Sequence, residues 1–538
     1  MKKFKIIVSL LLIGAMTTSC NDYLDVNENP NQIHEDALSP QLVFPGAVSQ
    51  IYRTQANTMM QFGNVMMNSW AGNSYVFGSP FAKEYTLSAV DNSFYNGIWN
   101  GIYLNVNNFV YIENIANADH KYDNYVAMAK IMKAYYLQTI VDLYGDIPYS
   151  EAFKGQDNLT PKYDNDETVY QSLYKNLEEA TTLIQAGNPA ALVPTSDDIV
   201  FQGNMTNWNS FANSVKLRML LRMSKVTGTM ATFRDQKLAA LSSAINSGQS
   251  FISVDVLENP GYSPSSDDNM NPFFLTWRIN SAASAPQNYS LITVSEHMAV
   301  SLNGNPNSFS ESYYQKFNAL PDPRRSRLFT TVAYTGLPAG SLKGVRQGAT
   351  PGQPGAPSDL TTVSRLASGN FSGAAALSLT SGNRGGVIMS LAESKFLQAE
   401  AALRYPSLFS GAQTAFNAGI NASAVWLGLT ATNMTSYINN ANTRPGLGWT
   451  GTDAQKLEAI MTQKWIALTN VNPTEMFIEY NRTGFPITPL ATSASMPNKP
   501  YRLIYPVSEY VGNSANVPNI TSAEAFTKNS KTPFWNQN

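Results

Sequence analysis

Hydrophobic positions in the middle of the chain recur at steps of three and four, the spacing of one face of an α-helix. Over residues 122–144 the stripe is Ala129, Met132, Tyr136, Ile140 and Leu143, and Gly145 with Pro148 stops it. Asp166 is placed to cap the next helix, whose stripe is Val169, Leu173, Leu177, Ala180 and Ile184 and whose stop is Gly187. Trp208, Ala212, Val215, Met219 and Met223 make a further stripe, and a helical stretch at about 91–116 precedes them all, so four helices are expected within about 91–226. A second cluster lies at about 387–482. Met389, Ala392, Phe396, Ala399 and Leu403 face Phe416, Ile420, Ser423 and Leu427 across a turn at Pro406 and Gly411. Leu457, Met461, Trp465 and Leu468 then mark another helix, followed by a short one over about 474–481. Each such pair has an apolar face too small to be stable alone, so stacked pairs sharing a core are expected, although no regular period runs through the sequence.

The intervening segments 63–81, 261–290 and 336–386 are rich in Gly, Pro, Ser and Asn with aromatics among them. They read as loops, the last as a loop-rich insertion within one large domain, 41–538. Loops on a rigid scaffold are where binding usually resides.

The N-terminus has another pattern. Lys2, Lys3 and Lys5 precede an apolar run from Ile6 to Met16, and Thr17, Thr18 and Ser19 lead to Cys20. This is a signal peptide, 1–19, too short in its apolar run for the ~20 residues of a membrane span. Cys20 is the single cysteine, so no internal disulfide forms. Its position makes it the expected lipidated N-terminus, followed by a leader, 20–40, carrying Asp22, Asp25 and Glu28. Acyl chains stabilise anchoring by roughly 0.8 kcal/mol per buried CH₂.

Loss of three lysines with the signal peptide moves the formal charge from −2 to −5. That balance argues against nucleic acid, which needs a basic surface. Charged residues make up 14% of the chain against about 25% in an average protein, so the surface is polar through Asn, Ser, Thr, Gln and Tyr. Such a surface suits uncharged ligands.

Catalytic patterns are missing. No Gly-Lys dipeptide occurs, hence no phosphate-binding loop, and no Gly-x-Ser-x-Gly elbow. His34, His120 and His297 are far apart. Gly446, Gly448 and Gly451 match a dinucleotide fingerprint but follow no predicted strand, so they read as a turn into a helix near Asp453. Asp25, Asn27, Asn29 and Asp36 echo a calcium loop, yet Pro30 stands where the turn needs Gly. No cofactor is expected, and structural calcium has no motif behind it. The pairs Asp197–Asp198 and Asp267–Asp268 read as solvated loops, since adjacent carboxylates do not flank a glycosidic bond. Arg218, Arg222 and Lys225 share a helix face and are expected to pair with nearby acids.

Ordered blocks then point to a family. CNDYLDVNENPN from Cys20, LYGDIPYSEAF from Leu143, WNSFANSVKLRMLLRMS from Trp208, LAESKFLQAEAALR from Leu391 and RLIYPVSEYVGN from Arg502 resemble the SusD/RagB family, SusD-like branch, of Bacteroidetes. GINASAVWLGL from Gly419, TQKWIAL from Thr462 and NRTGFP from Asn481 extend the resemblance. It implies a mainly α, single large domain with four tetratricopeptide-like helix pairs and a loop-rich ligand face. It also implies a non-catalytic surface lipoprotein of the outer membrane, facing the exterior, that delivers oligosaccharides to a SusC-like TonB-dependent transporter. A peptide-binding lid of the same architecture is the alternative, and a surface glycoside hydrolase a remote one. No ligand motif transfers, so candidates come from the loops. Trp70, Asn73, Tyr75 and Phe77 lie in the first, and Trp277, Arg278, Gln287 and Tyr289 in the second. Rings stack on sugar faces while the polar groups hydrogen-bond hydroxyls.

Overall fold

A computed structural model describes residues 38–306, 309–357, 359 and 362–537. Cys20, the signal peptide, the leader up to residue 37, His34 and the calcium-like stretch lie outside them. The longer helices, numbered in chain order, begin with α1 (Pro40–Thr54), which runs through a short π-helical stretch into α2 (Met60–Met66). Next come α3 (Asn96–Glu113), α4 (Asp123–Tyr144), α5 (Asp166–Ala186), α6 (Met205–Arg222) and α7 (Gly228–Asn246). After α8 (Glu296–Asn303) the C-terminal set is α9 (Leu391–Arg404), α10 (Ala412–Trp426), α11 (Ala431–Ala441), α12 (Asp453–Leu468) and α13 (Pro473–Thr483). The protein is mainly α, and the described strands form three two-stranded antiparallel ribbons: β1 (Trp70–Gly72) with β5 (Ile292–Val294), β2 (Ile147–Pro148) with β3 (Tyr163–Asp164), and β4 (Val256–Glu258) with β6 (Gly386–Met389).

The periodic stripes become these helices, with local corrections. The stops at Gly145 and Gly187 hold, both glycines taking positive φ. The cap of α5 is Asn165, whose side chain accepts from the Glu167 amide, while Asp166 is the first helical residue and accepts from the Phe534 amide at 2.7 Å. Met389 belongs to β6 rather than to α9. Residues 63–66, expected in a loop, are helical. Gly63 allows this, because a Cβ there would stand 2.2 Å from the backbone of Pro473 and Thr474. Helices α1, α7 and α11 are additional to the expected set, although α1 buries Phe44, Ala47, Val48, Ile51 and Tyr52, and α11 buries Met434, Tyr437, Ile438 and Ala441, at helical spacing.

Sequential helices pack on one another, α3 on α4, α4 on α5, α5 on α6, and α9 on α10. The two sets meet where α6 touches α9 and where α13 touches α2 and α4. At that junction lies a buried network of charge. Arg222 on α6 donates from Nε to Asp142 on α4 at 3.0 Å, from Nη1 to Glu479 at 2.8 Å, and from Nη2 to both Glu475 oxygens at 2.7 Å. Lys464 on α12 reaches Glu475 and Glu479, each at 3.4 Å. Arg482 on α13 grips Glu400 on α9 through two 2.7 Å bonds. Burial alone would raise the Glu479 carboxyl, yet Arg482, Lys464 and Arg222 outweigh it and hold it well below the usual range. Arg218 likewise meets Glu393, at 3.5 Å.

Truncating one partner of a buried pair leaves the others uncompensated, at a cost of about 3–5 kcal/mol. Arg222→Met is therefore expected to lower unfolding free energy by about that amount in chemical denaturation. A loss below about 1 kcal/mol would mean that the network carries no such constraint.

Candidate functional site

The β1–β5 ribbon brings the first two predicted loops together, with Trp70 paired to Val294 and Gly72 to Ile292. It does so through buried side chains. Trp70 is fully buried, its ring 4.9 Å from that of Trp277 in an edge contact. The Trp70 indole donates to Asn470 Oδ1 at 2.6 Å, and that of Trp277 to the Ala56 carbonyl at 2.9 Å. Neither ring can present a face to a ligand, so both tryptophans belong to the core, contrary to the expectation from sequence. Asn73 is also buried, its Oδ1 accepting from the Tyr75 amide. Tyr75, Phe77 and Gln287 are exposed; Arg278 stacks on the half-buried Tyr289 ring at 4.4 Å.

A cleft that includes Asn68 and Glu296, just outside the ends of this ribbon, is built from other residues. It has a volume of about 360 Å³. Ser295 caps α8, its hydroxyl donating to the Asn68 carbonyl and accepting from the Met298 amide, which sets Glu296 at the helix start. The Arg346 Nε donates to Glu296 at 2.5 Å, and its guanidinium lies 5.9 Å from the Phe309 ring. Phe309 and Tyr313 are half-buried and pack on Tyr314 at 4.7 and 4.6 Å. Tyr314 meets His297 Nδ1 at 3.0 Å. Burial, then the charges of Lys499 and Lys316, push His297 down to about 3, so the ring under the cleft is neutral. Gln347 and Thr492 complete the polar rim. The arrangement offers aromatic faces with hydrogen-bonding groups around them, the anatomy of a site for an uncharged polar ligand.

None of the eight ligand candidates singled out from sequence lines this cleft. The stretch 305–314 shares the composition of the predicted loops, with Asn, Pro, Ser and three aromatics, which is the sequence signal it carries. Glu296 and Arg346 had no local signal, since their pairing joins positions 50 apart in sequence. A second hollow, of about 530 Å³ beside Arg404 and Arg234, has Tyr405 as its one aromatic residue. Its arginines are engaged, Arg404 by Glu400 and Arg234 by Asp235 and the Met223 carbonyl. Of the acidic pairs expected in solvated loops, Asp267 is exposed and accepts from Ser281, but Asp198 is buried, contrary to that expectation, because it accepts from the Gly203 amide and the Trp208 indole. Among the described residues no three His, Cys, Asp or Glu side chains converge as metal ligands.

Residues 30–506 match the profile of a family described as SusD-like, starch-binding and associating with the outer membrane. The chain belongs to this SusD-like family. A chitin-binding SusD homolog from Flavobacterium johnsoniae superimposes with a TM-score of 0.66 at 22% identity, over 92% of this chain and 98% of that one. A SusD homolog from Bacteroides thetaiotaomicron gives 0.69 at 20% identity, over 93% and 99%. Both establish the fold. No curated protein sequence matches. Among the described residues no helix is long and apolar enough to cross a membrane.

Trp70→Ala and Trp277→Ala are expected to cost about 3–5 kcal/mol each in denaturant unfolding, the range for deleting a core tryptophan. Unchanged stability with weakened ligand binding would return them to the site. His297 binds its proton in the unfolded chain near 6.5 and in the fold only near 3, so it adds stability as pH rises between those values. The melting-temperature advantage of wild type over His297→Phe should therefore grow across that window. A flat difference would refute the buried neutral ring.

Proposed function

We propose that this SusD-like protein captures oligosaccharides at the cell surface and passes them to a SusC-like TonB-dependent transporter, without catalysing any reaction. The observation that carries the reading is the cleft itself. The half-buried faces of Phe309 and Tyr313 suit the apolar faces of sugar rings, and the Arg346–Glu296 pair offers hydrogen bonds with little net charge. The family's association with starch and the outer membrane supports a glycan over the peptide alternative. Anchoring through acylated Cys20 would hold the cleft outside the outer membrane, at the mouth of its partner channel. In this view YGDIPY and the alanines of α9 are scaffold.

Titration calorimetry against a glycan panel is expected to find binding that Tyr313→Ala weakens by about tenfold, with unfolding free energy nearly unchanged. Binding of peptides and of no glycan would overturn the sugar reading. Cys20→Ala should release a folded protein from the outer membrane in cells lacking the transporter; continued retention there would rule out the lipid anchor.

A further inference from the structure

Beside the cleft lies a smaller hollow of about 170 Å³, and Arg346 forms part of both walls. It is lined apolarly by Pro80, Ala82, Ala349 and the Tyr85 ring, and Gly72 and Gly78 keep it open. The Tyr85 hydroxyl is already engaged, accepting from the Gly72 amide at 2.8 Å. Ser74 is different. It lines the hollow with 7% exposure, and its hydroxyl has no hydrogen-bond partner. Next to it the Asn73 amide nitrogen is also buried and unpaired. Buried polar groups ordinarily have partners, so an orphan hydroxyl on a residue that walls a cavity marks a place where a polar group would complete the bonding.

We propose that this hollow is a subsite for a neutral acyl substituent, an acetamido or O-acetyl group, carried by the glycan in the cleft. This rests on the glycan reading above. The methyl group would meet Pro80, Ala82 and Ala349, and the carbonyl would accept from the Ser74 hydroxyl, with the Arg346 guanidinium at the shared wall. A carboxylate fits less well. Arg346 is already neutralised by Glu296 at 2.5 Å, so an acidic sugar finds no unbalanced cation there. A bare sugar hydroxyl would satisfy Ser74 but leave the apolar walls facing water.

The test uses matched ligands differing only in acylation: chito- against cello-oligosaccharides of equal length, and acetylated against deacetylated xylo-oligosaccharides. Calorimetry with the full chain should find the acylated member of at least one pair bound about tenfold more tightly, the equivalent of about 1.4 kcal/mol. Ser74→Ala should erase most of that preference. Gly78→Phe should erase it by filling the hollow from an exposed position, where an added Cβ meets nothing within 4 Å. Neither variant should change affinity for the unacylated member. Equal affinity within every pair, or equal weakening of both members by Gly78→Phe, overturns the acyl subsite. Binding confined to unacylated glycans such as malto-oligosaccharides overturns it while leaving the glycan reading intact. Failure of every glycan to bind removes both.

Discussion

The arrangement depends on the pairing of Arg222 with three carboxylates that come from two helices. Asp142 approaches from α4, and Glu475 and Glu479, one turn apart, from α13. A guanidinium has five donors in a rigid fork, and here every nitrogen is matched. Desolvating so many charges leaves little net gain over an apolar junction of the same volume. What such a network does constrain is register. Sliding α13 along its axis would separate Glu475 and Glu479 from Arg222 and Lys464 together, and would break the grip of Arg482 on Glu400.

That register reaches the cleft through a short chain of contacts. The turn between α12 and α13 carries Asn470 and the start of α13 carries Thr474, which bond to Trp70 and to the Met59 carbonyl. Trp465 on α12 donates to the Met67 carbonyl at 3.1 Å. The Gln347 amide bonds to the carbonyls of Val65 and Trp70, so a residue of the cleft wall is held by the segment between α2 and β1. The two buried tryptophans are thus the link between the helical scaffold and the loops that face the ligand. Their place in the sequence, inside Gly- and Ser-rich stretches, is what made them look like ligand residues.

Several of the long helices were legible from their stripes, and their ends were readable wherever glycine or proline forced a stop. Burial did not decide legibility: α4 and α6 are buried on nearly all sides yet are marked by their stripes, whereas short α2 is not, because a period needs several turns to show. The candidate site was legible only in kind. Aromatic and polar loops were the right material, and segment 63–81 does line the smaller hollow through Gly72, Ser74 and Gly78. The residues of the main cleft escaped because each is set by partners far away in the chain.

By itself the sequence determined where most helices run, which segments are irregular, and that recognised catalytic motifs are missing. Those properties follow from spacing and local chemistry, in which neighbours a few positions apart decide the outcome. Tertiary structure alone decided which aromatics are core and which line a surface. Trp70 is buried by Trp277 and by Asn470, the latter 400 positions away, while Tyr313, in ring contact with Tyr314 and His297, stays half-buried. Exposure depends on contacts between distant residues, and no local pattern encodes it.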